Sequence, residues 1–155
     1  MTIEKKSHTI RRATKEDLDA IYEIELQCSN LWKHQYFEAE LQNDFSLTIV
    51  ACHDEKVVAF AVAWNIPGEI QLNNIGVLPS LRRSGLATAL MDYIVLQWGD
   101  KAPERILIEV KSSNTGAISF YRSLGFHQTG VREKYYSGED AILMEKDLQE
   151  KESQE

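Results

Sequence analysis

Cysteine is scarce in this chain: Cys28 and Cys52 stand alone among 155 residues. Two thiols so far apart do not suggest a disulfide framework, and they read as free, mostly buried side chains in a reducing cytoplasm. Long apolar runs are missing too. Nothing approaches the roughly 18 consecutive apolar residues of a membrane span, and residues 1–12 lack the hydrophobic stretch of a signal peptide. Positive charge is in the minority, with 17 Lys and Arg against 24 Asp and Glu and a formal charge of −7. That balance argues against a sequence-independent nucleic-acid binder. It leaves two readings open, a cationic partner such as a basic peptide, or acidity that serves solubility alone. Paired cysteines and His-x-x-x-His spacing are absent, so no metal site is expected. No cysteine–histidine or serine–histidine pairing suggests a covalent intermediate. A nucleotide-hydrolysing P-loop is poorly supported, because no Lys-Ser/Thr pair follows the glycine of the basic turn at residues 82–85.

What is present is ordinary globular composition, 43% apolar and 26% charged. Residues 1–148 are expected to form one domain and residues 149–155 a polar, frayed tail. A short strand over 8–12 leads to Thr14, an N-cap with Asp17 three residues on, and then to a helix with Leu18, Ile21, Ile24 and Cys28 on one face. A break at Ser29-Asn30-Leu31-Trp32 precedes a second short helix carrying Phe37 and Leu41. Trp32 either lines a pocket there or closes the core over the turn. Strands over 45–52 and 56–64 form a hairpin across His53-Asp54-Glu55, and the second, apolar throughout from Val57, is expected to be central.

After Pro67-Gly68 the alternation of Ile70 and Leu72 slips in phase to Ile75 and Val77. The slip marks either a β-bulge near Asn73-Asn74 or a strand buried on both faces. A helix over 84–98 shows Leu86, Leu90, Ile94 and Trp98 on one face and is followed by a strand over 105–111. A short helix over 114–124 and a hairpin of 126–136 with 141–146 complete the order β-α-α-β-β-β-α-β-α-β-β. That order implies an α/β fold: a mixed central sheet, antiparallel at first, with helices on both faces. The strand at 105–111 should run parallel to the strand before the crossover helix.

Residues 73–90 carry the strongest chemical signal. A strand runs into a basic turn, Arg82-x-x-Gly85-x-Ala87, and the turn opens a helix. Unpaired amides at the positive end of a helix suit a phosphate group, and Gly85 lets a ligand approach the main chain.

This turn, followed by Glu109-Val110 and by Asn114-x-x-Ala117-Ile118-x-x-Tyr121-x-x-x-Gly125-Phe126, resembles the GNAT family of acetyl-CoA-dependent N-acetyltransferases. Each motif alone is weak, and their order and spacing together are specific. The stretch 130–144 narrows the likeness to the ribosomal-protein alanine N-acetyltransferases (RimI type), over roughly residues 9–148. Two departures stand out. Asn30-Leu31-Trp32 lies where the family commonly has a proline before the tryptophan, and Gly76 replaces the usual alanine.

The resemblance implies a GNAT fold and acetyl-CoA as co-substrate. Ile75, Gly76 and Val77 would hold the pantetheine arm and acetyl carbonyl through main-chain bonds. Arg83, Ser84, Gly85, Leu86, Ala87 and Thr88 would offer amides to the pyrophosphate, with Arg82 and Arg83 contacting phosphate or remaining solvated. Asn114 would touch the coenzyme, cap the short helix, or both. By family position Glu109 is the general base, its alternative being a structural ion pair, and Tyr121 the acid for the departing thiolate. A carboxylate on an otherwise apolar strand is expected to be buried. Trp32, Tyr135 and Tyr136 would line the peptide groove, the tyrosines otherwise forming a cross-strand aromatic pair.

The expected reaction is acetylation of an N-terminal α-amino group, alanine of a basic small-subunit ribosomal protein, with no direct nucleic-acid or membrane partner. A lysine or small-amine acceptor, or a non-catalytic acyl-CoA-binding module, are the alternatives.

Overall fold

The computed structural model describes residues 8–29, 31–97, 103–136 and 138–148, with the backbone alone at 135 and 136. The expected tail at 149–155 and the helix end at 98–100 lie outside that set. β1 (Thr9–Arg12) is followed by a 3-10 turn (Lys15–Asp17), α1 (Leu18–Gln27), α2 (His34–Leu41), β2 (Ser46–His53), β3 (Lys56–Ile66) and β4 (Glu69–Val77). A second 3-10 turn (Pro79–Leu81), α3 (Leu86–Leu96), β5 (Arg105–Lys111), α4 (Thr115–Ser123), β6 (His127–Tyr136) and β7 (Glu139–Asp147) complete the chain. The order is the one the sequence pattern implies.

Among the described residues seven strands form one mixed sheet in the order β1-β2-β3-β4-β5-β7-β6. Neighbours are antiparallel except β4 and β5, which run parallel as a crossover helix between them requires. Helices cover both faces. Leu18, Ile21 and Ile24 of α1 and Phe37 of α2 bury against Val50, Phe60 and Val62. On the other face Leu86, Leu90, Met91 and Ile94 of α3 and Tyr121 of α4 pack on Ile49, Ala61, Ala63, Ile70, Leu72 and Ile108. Strand β3 is buried without a break from Val57 to Ala63, as a central strand covered on both sides should be. Its Ala59, Ala61 and Ala63 turn to the α3 side and its Phe60 and Val62 to the α1 side.

The phase slip in β4 is a bulge. Val62 pairs with Asn74 and Ala63 with Leu72, so Asn73 is the extra residue. Because of it Ile70 and Leu72 before the bulge and Ile75 and Val77 after it all pack on the α3 side. The same strand then leaves its parallel neighbour: β4 and β5 pair only over Glu69–Gln71 and Arg105–Leu107.

Entry into α1 follows the capping logic of the sequence. The Thr14 amide donates to Asp17 Oδ2 at 2.8 Å, and Arg11 clamps the same carboxylate through Nη1 at 2.8 Å and Nη2 at 3.0 Å. Arg11 holds the Asp17 carboxyl below its ordinary value of 3.8, the Thr14 amide adding to the effect against the cost of burial. Among the described residues no helix is long and apolar enough to cross a membrane.

Candidate active site

Where β4 and β5 part, a cleft of about 1210 Å³ opens between them. Main-chain direction on its β4 wall follows from register. The Leu78 amide bonds the Val58 carbonyl, and Val77 pairs with Ala59 and Gly76 with Phe60. In an antiparallel ladder alternate residues turn their N–H and C=O groups to opposite sides. Gly76 therefore turns its main chain to β3, while Ile75 and Val77 present theirs to the gap. All three residues border the cleft, Gly76 with its main chain directed to β3.

Gly76 contributes by what it lacks. A Cβ there would lie 2.6 Å from Phe60 Cε2 and 3.3 Å from Ile24 Cγ2. Phe60 fills the space that a larger residue at 76 would take.

At the far end of β4 the chain turns through Arg83 at φ 64° and Gly85 at φ 88°, both left-handed, before α3 begins at Leu86. Gly85 is the N-cap and has no side chain to satisfy the first amides of the helix. Gly85, Leu86, Ala87, Thr88 and Arg83 border the cleft with those amides at the positive helix end. Ser84 does not border it, and its hydroxyl donates to the Leu81 carbonyl instead. Arg82 borders the cleft, but its guanidinium is engaged by the protein. Nε donates to the Val77 carbonyl at 3.3 Å, and Nη2 to the Gln27 carbonyl at 3.4 Å and to Cys28 Sγ at 3.3 Å. A cation placed at the C-terminal end of α1 is favourably sited against the helix dipole.

On the β5 side, Ile106, Ile108 and Val110 point into the α3-side core and Glu109 to the opposite face. Glu109 is not enclosed as its apolar strand suggests. Its side chain is 21% exposed, and Oε2 lies 3.2 Å from Arg132 Nη2 on β6. It borders both the large cleft and a second pocket of about 360 Å³, formed with Trp32, Glu40, Trp64, Asn73 and Arg132. Asn114 caps α4, its Oδ1 accepting from the Ala117 amide at 3.1 Å, and it also borders the cleft. The loop leading to it is tied from β7, where Glu139 Oε2 accepts from the Ser113 amide at 2.6 Å. The hydrogen bonds from Ser113 hold the Glu139 carboxyl below its ordinary value.

Tyr121 sits on the inward face of α4, 7% exposed, at the cleft wall. Its ring meets Phe126 edge-on at 5.4 Å. Burial pushes its phenol above the ordinary value of 10, so it keeps its proton at neutral pH.

Trp32 does both things its position allowed. It borders both pockets, and it packs on Phe37 with ring centroids 4.9 Å apart. Tyr135 and Tyr136 lie on β6, and their side chains fall outside the described residues. Among the described residues no group of three or more His, Cys, Asp or Glu is placed to hold a metal ion.

Two residues of the neighbourhood escaped the sequence reading, Glu25 and Arg132, and a third, Asn74, was noted there only for the bulge. Glu25 left a signal, a charged residue on the apolar face that Ile21, Ile24 and Cys28 define. Asn74 and Arg132 reach the site only through strand pairing, which local pattern does not record.

A glycine turn at a helix start, two parted parallel strands and an acid-bearing cleft between them define an acyl-transfer architecture. Residues 18–126 match the Acetyltransferase (GNAT) family, and the chain belongs to it. Within that family it is similar to the ribosomal protein bS18-alanine N-acetyltransferase of Escherichia coli, at 33% identity over 142 residues, 88% of this chain and 95% of that protein. The Haemophilus influenzae enzyme of the same name is 27% identical over 134 residues, 83% of this chain and 90% of that one. The crystal structure of the ribosomal-protein-S18-alanine N-acetyltransferase from Escherichia coli superposes with a TM-score of 0.78 at 30% identity, covering 96% of this chain and all of that one. Arabidopsis thaliana NAA60 in complex with acetyl-CoA shares the fold, with a TM-score of 0.78 at 16% identity over 92% of this chain and 99% of that one.

Proposed function

We propose that this chain transfers acetyl from acetyl-CoA to the N-terminal α-amino group of a protein, alanine of a small-subunit ribosomal protein, by direct attack. The observation that carries the reading is the cleft itself. One opening brings the edge of β4 that has parted from β5, the uncapped start of α3, Glu109 and Tyr121 together. Its residues fit the co-substrate: an open strand edge suits the amide-bearing pantetheine arm, and a helix N-terminus beside Arg83 suits a pyrophosphate. The acceptor identity rests on the similarity to the bS18-alanine N-acetyltransferases, which extends over nearly the whole of those proteins.

Bound acetyl-CoA supplies the acetyl group as a thioester, a good electrophile with a stable leaving group. An α-amine has a pKa near 7.7–8.0 and is largely protonated at neutral pH. Glu109, at the border of the cleft and the smaller pocket, takes the proton that the amine must lose, directly or through water. Arg132 keeps that carboxylate oriented between the two pockets. As the nitrogen–carbon bond forms and the carbon–sulfur bond breaks, Tyr121 donates its proton to the sulfur. The Tyr121 phenol holds its proton at neutral pH and so has one to give, while burial makes it a weaker acid than an exposed tyrosine. Trp32 and the smaller pocket form the acceptor side.

The test is release of free thiol from acetyl-CoA with a short basic peptide bearing an N-terminal alanine. The control is the same peptide blocked at its α-amine but carrying a free lysine. Release only with the free N-terminus supports the proposal, and release with the blocked peptide moves the acceptor to lysine. Silence with both, despite tight coenzyme binding, favours an acyl-CoA-binding module or an acceptor other than these two peptides, such as a small amine.

A further inference from the structure

Outside the reacting groups, the most deeply buried acidic side chain among the described residues is Glu25 of α1, at 0% exposure. An unpaired carboxylate in such a place is strongly destabilising, so its partners say what it is for. One oxygen, Oε2, accepts from three donors of the segment between α1 and α2: Ser29 Oγ at 2.7 Å, the Leu31 amide at 2.9 Å and the Trp32 amide at 2.9 Å. The other oxygen, Oε1, accepts from Asn74 Nδ2 at 3.0 Å, at the β4 bulge. A single carboxylate thus ties the segment that carries Trp32 to the strand whose edge lines the cleft.

We propose that Glu25 is a positioning residue for the acetyltransferase reaction, holding the Trp32 segment in register with the β4 bulge so that the acceptor wall and the coenzyme wall face each other correctly. It borders neither pocket. The inference rests on the reading of Trp32 as acceptor wall and β4 as coenzyme wall.

Its chemistry separates it from a packing role. Leucine nearly matches glutamate in size, so a residue needed only to fill the core would accept Glu25→Leu with little loss, as buried charges often do. A residue needed to receive main-chain amides would not, because Leu31 and Trp32 would be left with unpaired N–H groups. Glu25→Gln is the conservative rescue. Its amide oxygen can face the three segment donors while its nitrogen donates to Asn74 Oδ1, once the Asn74 amide has turned over. Glu25→Asp withdraws the carboxylate by one methylene and cannot span segment and bulge together.

The experiment pairs two readouts on the full chain. Amide hydrogen exchange at Leu31 and Trp32 reports the segment without any acceptor. Steady-state kinetics with acetyl-CoA and the N-terminal alanine peptide report function. Glu25→Leu and Glu25→Asp are expected to speed exchange at both amides at least tenfold. They should also raise the peptide KM roughly tenfold, about the effect of one lost buried hydrogen bond, while the acetyl-CoA KM moves less than threefold. Glu25→Gln stays within about threefold of the parent in all three.

Unchanged exchange in the leucine and aspartate variants overturns the proposal. So does a rise in acetyl-CoA KM that matches the rise for peptide, which would make Glu25 a general support of the fold. Should Glu25→Leu fail to fold, the aspartate variant carries the same test. If the parent protein turns over neither peptide, it is the proposed function that fails, and the exchange measurement decides Glu25 by itself.

Discussion

Two side chains on opposite faces of the sheet show how much rests on single atoms. Tyr121 is packed against Phe126 and nine-tenths enclosed, so its hydroxyl is separable from its ring. Tyr121→Phe keeps the packing and removes only the proton donor. It is expected to lower kcat about a hundredfold, within the range for loss of a general acid, while acetyl-CoA affinity by calorimetry stays within about twofold. Affinity that collapses with turnover would make the ring, not the hydroxyl, the functional part. On the other face, Gly76 and Phe60 share one volume. Gly76→Ala forces a methyl to 2.6 Å from a ring that is fully buried and edge-packed on Phe37. Overpacking of this kind costs about 1–3 kcal/mol, read as a lower urea midpoint. Phe60→Leu in the same chain should return part of that loss, since it vacates the space. If the double variant is no more stable than the sum of the singles predicts, the two positions do not share that volume.

At the scale of elements, the first turn before α1 carries a pH-dependent contribution. Asp17 accepts from Arg11 and from the Thr14 amide, and its folded value lies below 3.8. A depressed carboxylate adds stability that is fully present above its unfolded value and is lost as pH falls through the folded one. Asp17→Asn keeps the shape and loses the charge. It is expected to cost about 1–2 kcal/mol at neutral pH, with the gap to the parent closing as both are acidified below the ordinary aspartate range. Urea unfolding at several pH values checks it, and a gap that persists in acid would assign the effect to shape rather than charge.

Elements also show what a linear pattern can and cannot reveal. The bulge at Asn73 was legible because period-two alternation records which face a residue occupies, and an extra residue reverses the record. The start of α3 was less so: the sequence pattern opens the helix at Ser84, whereas left-handed backbone at Arg83 and Gly85 delays it to Leu86, the first residue of the apolar face. The cleft-bordering positions at 75, 85–88, 109, 114 and 121 came from motif order. The engagement of Arg82 by Gln27 and Cys28, the ion pair of Glu109 with Arg132 and the bond from Asn74 to Glu25 all join residues remote in sequence. No local periodicity encodes such pairs.

For the whole molecule the governing quantity is charge. With a formal charge of −7, the protein as a body repels anions and attracts cations, yet the proposed reaction requires one of each. Acetyl-CoA is an anion, and its phosphates are offered a local exception in the helix start beside Arg83. That attraction is short-ranged and partly main-chain, so the field of the whole molecule opposes it only weakly. A basic acceptor has no such need of a local device, because the overall field steers it in. The two substrates should therefore respond differently to salt. Raising NaCl from about 20 mM to about 300 mM shortens the screening length severalfold and is expected to raise the KM of a basic N-terminal alanine peptide several-fold. A neutral peptide with the same first residue should hardly change, and the acetyl-CoA KM should stay level or fall. Equal responses of the two peptides would mean that the acidity serves solubility alone, and that acceptor choice is made entirely by contacts near Trp32 and Glu109.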